Sequence, residues 1–276
     1  MIFFVEKLFF IGIATLLFIL LKNVLFKNNQ NAHIIKNSTI TQQQWDEAYH
    51  LLPLLNGLSK EENKRLKELC ILFMHNKTFE GAQGFEITPK VLLVISLQAC
   101  LPILNLGLDC YKIFSTIIVY PAGFKINRKV TDENGIVDYD RSHLLGESWL
   151  SGPIILSWHD SETAGKIDGS NLVIHEFAHK LDMQNGVANG FPPLHRGLKL
   201  NDWVREFSKA FEYFEHKCTG HNLHGIDCYA ATSPAEFFSV FSEVFFERPD
   251  RIKKRFPEIY TLLELYYRQT PISRLS

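Results

Sequence analysis

The hydrophobic pattern opens with a run that carries no charge, Leu8 to Leu21. If Lys22 turns its amine back toward water, the apolar stretch continues through Val24, Leu25 and Phe26. That reaches about the 19–20 residues a helix needs to cross a bilayer, and no small-residue cleavage site follows it. The pattern predicts a retained transmembrane helix over residues 1–27, in preference to an interfacial or a buried core helix. Residues 28–44 are rich in Asn, Gln, Ser and Thr and read as a polar linker. Lys22, Lys27 and Lys36 follow the run, while Lys7 precedes it beside Glu6. The positive-inside bias therefore places the rest of the chain on the cytoplasmic side, at a bacterial inner membrane.

From residue 45 to 276 the pattern is that of a folded domain. Ser59-Lys60-Glu61-Glu62 has the form of a capping box, and Leu66, Leu69, Leu72 and Phe73 follow at helical spacing. Gly81 and Gly84 break the pattern, and Thr88-Pro89 restarts it as N-cap and first helical residue. Val91 to Leu106 is almost wholly apolar. Pro102 and the amides of Gln98 and Asn105 make it a buried core helix rather than a second span. Thr116–Tyr120 and Ile154–Trp158 read as strands, with a loop or hairpin between them over Asp132–Asp140. Ile154–Trp158 is either an ordinary internal strand or one on which an extended peptide pairs by strand addition. A helix is expected from Asn171, its N-cap, to Gln184, where Asn185-Gly186 stops it. A loop over Gly186–Gly197, an amphipathic helix over Trp203–His216 and a last helix start at Ser233-Pro234 complete the order. Helices with a few short strands define an α+β fold, helix-rich with a small sheet.

Composition narrows the function classes. Hydrophobic residues make up 46% and charged residues 21%, which excludes a disordered chain and supplies a full core. The formal net charge of −1 gives no electrostatic basis for binding nucleic acid. Cys70, Cys100, Cys110, Cys218 and Cys228 are odd in number and widely spaced, which suits reduced thiols better than a disulfide framework.

The chemistry is concentrated in His175-Glu176-Phe177-Ala178-His179. On a helix, residues four apart stand on one face, so His175 and His179 can share one Zn²⁺, with Glu176 beside them to polarise a water. A catalytic zinc needs a third protein ligand. Glu236 is favoured, as an acid in the first turn of a helix otherwise lined with Phe237, Phe238, Val240, Phe241, Val244, Phe245 and Phe246. Two readings compete with it. Ser233-x-x-Glu236 is itself a capping-box pattern, and Glu243 lies on nearly the same face as a rival ligand. Tyr229 is either an oxyanion donor or a packed tyrosine. Asp182 is either an acceptor for a ligand histidine or a solvated helix-end acid. Cys218, His221, His224 and Cys228 could hold a structural metal, although their spacing matches no standard module. His159 and His195 read as loop residues on the surface or the substrate side, and Arg251–Arg255 as a solvated basic face.

Longer stretches carry a resemblance. Gln98-Ala99-Cys100-Leu101-Pro102, Val119-Tyr120-Pro121, Gly146-Glu147-Ser148-Trp149 and Gly152-Pro153-Ile154-Ile155-Leu156-Ser157-Trp158 come first. They continue with His175 to Asp182, Asn189-Gly190, and Tyr229-Ala230-Ala231-Thr232-Ser233-Pro234-Ala235-Glu236-Phe237-Phe238. In this order, from about Trp45 to Pro271, they resemble the Mlc titration factor A family of zinc metallopeptidases. The resemblance implies a zincin-like domain of gluzincin type, with His175, His179 and Glu236 on zinc and Glu176 as general base. Tyr229 matches a tyrosine near the metal, as in the similar lethal-factor-type peptidases. The resemblance also implies a peptide or protein substrate, aminopeptidase-type activity and a transcriptional-regulator partner, since the family's best-known members bind a glucose-responsive repressor. Those members are soluble, and the N-terminal hydrophobic run departs from them. The expectation is a membrane-anchored zinc peptidase, with a regulatory binding protein carrying a non-catalytic metal as the alternative.

Overall fold

The computed structural model describes residues 25–122 and 152–275, together with Ile13, Phe18 and Lys22. Two units make up the chain, Met1–Ile40 and Thr41–Ser276. In the first unit residues 25–36 form a helix, α1. Among the described residues no helix is long and apolar enough to cross a membrane. This corrects the expected transmembrane helix over residues 1–27, and with it the membrane as a partner and the inner-membrane location. In the helix described there, α1, Lys27, Asn28, Asn29, Gln30, Asn31, His33 and Lys36 leave no apolar run. Most of Leu8 to Phe26 lies outside the described residues. The expected linker over 28–44 is helical as far as residue 36, and a new helix starts at Gln42.

The second unit runs α2 (Gln42–His50), α3 (Lys60–Asn76), β1 (Thr78–Gly81), α4 (Pro89–Cys100), β2 (Thr116–Tyr120), β3 (Ile154–Ser157) and α5 (Trp158–Thr163). Then come α6 (Leu172–Asp182), α7 (Leu200–Lys217), β4 (Asn222–Leu223), β5 (Ile226–Asp227), α8 (Pro234–Glu247), α9 (Pro249–Arg255), α10 (Pro257–Tyr267) and α11 (Ile272–Leu275). Most helix starts follow local chemistry. Ser59 and Glu62 complete the capping box of α3. Thr88 accepts from the Val91 N–H, with Pro89 as the first residue of α4. Helix α4 is buried along nearly its whole length, as a core helix should be, but it ends at Cys100 rather than Leu106. Pro102 has no N–H to return to the Gln98 carbonyl.

The sheet has the order β1-β2-β3 and is parallel throughout. In β2, Ile117 and Val119 are buried and their neighbours are not, the alternation of a strand with one face on the core. β1 pairs with β2 although its sequence, Thr78-Phe79-Glu80-Gly81, is too short to carry a period. Strand β3 ends one residue earlier than expected, because Ser157 caps α5 and Trp158 is already helical. Among the described residues, β3 pairs with β2 alone. The expected loop over Asp132–Asp140 and the Gly146–Trp149 landmark lie outside the described residues.

Two aromatic layers position the central helix α6. On one side Phe177 packs with Phe73, Tyr111 and Phe114. On the other, α6 packs most closely against α8. Within α8, Phe237 stacks on Phe241 at 4.0 Å, and on α7 Trp203 stacks on Phe207 at 4.2 Å. Each such ring, once buried, contributes roughly 1.5–3 kcal/mol. Helices α6 and α8 thus lie face to face.

Candidate metal centre

Helix α6 begins where Asn171 Oδ1 accepts from the Ile174 N–H at 2.9 Å, the expected N-cap. It reaches Asp182, and a 3₁₀ turn over Met183–Asn185 leads to Gly186 at φ 141°. One turn apart on α6, His175 and His179 point the same nitrogen at a common point. Their Nε2 atoms are 3.2 Å apart. Glu236 Oε2 lies 2.9 Å from His175 Nε2 and 3.2 Å from His179 Nε2. Among the described residues, these three are the only group of His, Cys, Asp or Glu placed to hold a metal ion.

Glu236 decides between its two readings through its partners. The Ser233 hydroxyl caps α8 by accepting from the Glu236 N–H at 3.2 Å. The Glu236 carboxylate does not complete the box and turns to the imidazoles instead. Glu243, the rival ligand, stands behind the site: its Oε1 is 2.7 Å from His175 Nδ1. Ser239 Oγ lies 3.0 Å from His179 Nδ1, a contact the sequence reading missed. The signal was present, since residues 236, 239 and 243 share one stripe of a helix.

The electrostatics follow from burial and these contacts. Burial alone would lower the His175 imidazole, but bonds to Glu236 and Glu243 outweigh it and raise its pKa to about 10 in the metal-free chain. Burial pushes Glu236 up, yet the two histidines hold it well below the usual carboxylate range. Burial raises Glu243 against the pull of His175 beside it. The point where the donors converge thus favours positive charge.

Glu176 is the next residue along α6 and is half-buried. Tyr229 sits in the 3₁₀ turn Cys228–Ala231 just before α8, 37% exposed, with its ring centre 6.0 Å from that of His175. Lys180 donates to the Gly152 carbonyl at 2.9 Å and ties α6 to the approach to β3.

Several sequence expectations are corrected. Asp182 neither accepts from a ligand histidine nor faces solvent. It is fully buried, and its Oδ2 accepts from the N–H groups of Asn189 at 2.7 Å and Gly190 at 2.6 Å. Gly190, at φ 81°, brings that loop so close to α8 that a Cβ would lie 2.5 Å from the Pro234 carbonyl oxygen. Cys218 and Cys228 form a disulfide, which corrects both the reduced-thiol reading and the Cys–His metal loop. Cys70, Cys100 and Cys110 are free thiols. His224 stacks on Tyr213 and bonds to its hydroxyl at 3.1 Å. His195 stacks on Tyr266 and bonds to its carbonyl at 3.0 Å. His159 is exposed within α5, not in a loop. Arg251 is not merely solvated, since it donates to the carbonyls of Asp168 at 2.8 Å and Gly225 at 2.5 Å.

Comparison with known proteins agrees with this geometry. Residues 26–268 match the family model described as glucose-regulated metallo-peptidase M90. A Cronobacter sakazakii protein named Mlc titration factor A is 38% identical over 231 residues, covering 83% of this chain and 87% of that one. Proteins of the same name from Salmonella typhi and Escherichia fergusonii are 39% and 37% identical, covering 87% and 84% of this chain and 92% and 88% of theirs. With the two histidines and the glutamate brought together in a domain matched along nearly all its length, the chain belongs to the glucose-regulated metallo-peptidase M90 family.

Proposed function

We propose that the chain is a zinc-dependent peptidase of aminopeptidase type, with His175, His179 and Glu236 as metal ligands. The observation that carries this reading is the donor triangle, with edges of 2.9, 3.2 and 3.2 Å. Tetrahedral zinc, with bonds of about 2.0–2.1 Å, sets its ligand atoms roughly 3.3 Å apart. Two imidazoles and one carboxylate suit zinc better than calcium, which takes about six to eight oxygens at longer distances. A bound zinc would supply Lewis acidity and a water of lowered pKa. Glu176 takes the proton of the attacking water and passes it to the leaving amine. Tyr229 donates a hydrogen bond to the carbonyl oxygen as that oxygen gains charge. An extended substrate pairs along β3, next to α6. The test is hydrolysis of short peptides by the intact chain. Peptides with a free amino terminus should be cleaved and lose cleavage in chelator, while the same peptides acetylated at the amino terminus should resist. Cleavage of both forms alike would overturn the aminopeptidase assignment, and cleavage indifferent to chelator would overturn the metal.

The name shared by the relatives supports a second reading, capture of a transcriptional regulator by this chain. Binding of such a regulator that is unchanged by Glu176→Gln and by chelator, with no turnover of any peptide, would favour it.

A further inference from the structure

A buried polar chain runs from the start of α6 to the metal centre, and it exceeds what capping a helix requires. Asn171, fully buried, uses every polar atom it has. Its Oδ1 caps α6, its carbonyl accepts from the His175 N–H at 2.9 Å, and its own N–H donates to Glu243 Oε2 at 2.5 Å. Its Nδ2 donates both hydrogens, to Gln98 Oε1 and to Glu247 Oε1, each at 2.9 Å. Gln98 is fixed in turn by the carbonyls of Val94 and Ser161. Glu247 accepts from the N–H groups of Gly165 and Gly169, both at 3.0 Å. Glu243 is thus clamped on one oxygen by Asn171, and its other oxygen faces His175 Nδ1 at 2.7 Å.

We propose that Glu243 is a positioning residue for His175, locked by Asn171, so that the proton stays on Nδ1 and the Nε2 lone pair is the one turned toward Glu236 and His179. This inference rests on the metal-ligand reading of His175. A carboxylate can only accept, so it holds Nδ1 as the donor and leaves Nε2 free to ligate. Glutamine at 243 would keep the acceptor facing the Asn171 N–H and present an N–H to Nδ1. The ring would then carry its proton on Nε2, where the metal belongs.

The experiment uses the full chain, with zinc alone titrated against a chelating competitor, and the melting temperature of each metal-free form. Glu243→Gln should lower zinc affinity about ten- to a hundredfold, read at a temperature where its melting curve shows the metal-free variant to be folded. In the zinc-loaded wild type, nitrogen-15 shifts of His175 should show the proton on Nδ1 and the metal on Nε2. Zinc affinity within twofold of wild type in Glu243→Gln, or a proton on Nε2 in the zinc-loaded wild type, would overturn the inference. A wild-type chain that binds no zinc would instead overturn the ligand assignment on which it rests.

Discussion

Glu176→Gln removes a proton acceptor and leaves His175, His179 and Glu236 in place. Peptide turnover should fall by at least about a hundredfold with metal content unchanged, as read by initial rates beside elemental analysis. Equal rates would move the general base elsewhere. Tyr229→Phe keeps the ring against His175 and loses the hydroxyl. The expectation is a kcat lowered roughly a hundredfold with KM little changed, and a change in KM alone would make Tyr229 a substrate contact. At this scale the two histidines were legible because four-residue spacing needs only a helix. Glu236 was not fully legible, because Ser233-x-x-Glu236 satisfies a cap and a ligand equally well in one dimension. Asp182 was misread because the loop that covers it returns from Asn189 and Gly190, and nothing local announces that return.

The stripe of Glu236, Ser239 and Glu243 shows what an element contributes beyond single side chains. One face of α8 supplies the candidate ligand Glu236 and a hydrogen-bond partner for each histidine of α6. Ser239→Ala should weaken metal binding about tenfold with little change in melting temperature of the metal-free chain, and undiminished affinity would make the Ser239 bond incidental. The Cys218–Cys228 bridge closes the β4–β5 hairpin immediately before Tyr229. Replacing both cysteines with serine should cost roughly 2–3 kcal/mol in denaturant unfolding, and no loss would mean the bridge adds nothing to stability. The starts of α3, α4, α6 and α8 were legible because capping chemistry is local. The parallel sheet and the disulfide were not, because each joins segments whose pairing depends on the path of the chain between them.

Across the whole molecule, buried acids make stability depend on pH. Burial pushes Glu247 from 4.5 to about 7 and Asp182 from 3.8 to about 6. Each group keeps its proton in the folded chain over an interval where the unfolded chain has released it. Their stabilising contribution is complete below the ordinary carboxylate values and is lost as pH rises through about 6 to 7. Each makes stability fall by at most about 1.4 kcal/mol per pH unit inside its window. Urea unfolding of the metal-free chain between pH 5 and 8 should show the decline, and Glu247→Gln should flatten it; a stability that rises with pH through that window would contradict the assignment. Whole-molecule readings were also where hydropathy misled. The apolar run at the amino terminus suggested a span, while the helix described beyond it is polar.

The proposed peptidase chemistry depends on His175, His179 and Glu236 together holding one zinc ion. Its most direct test is the metal-to-protein ratio of the full chain by elemental analysis, beside the same measurement on Glu236→Ala. About one zinc per chain is expected in the wild type, with its loss, or near loss, in the variant. A full complement of zinc retained by Glu236→Ala, or a wild type that takes up none on reconstitution, would contradict it.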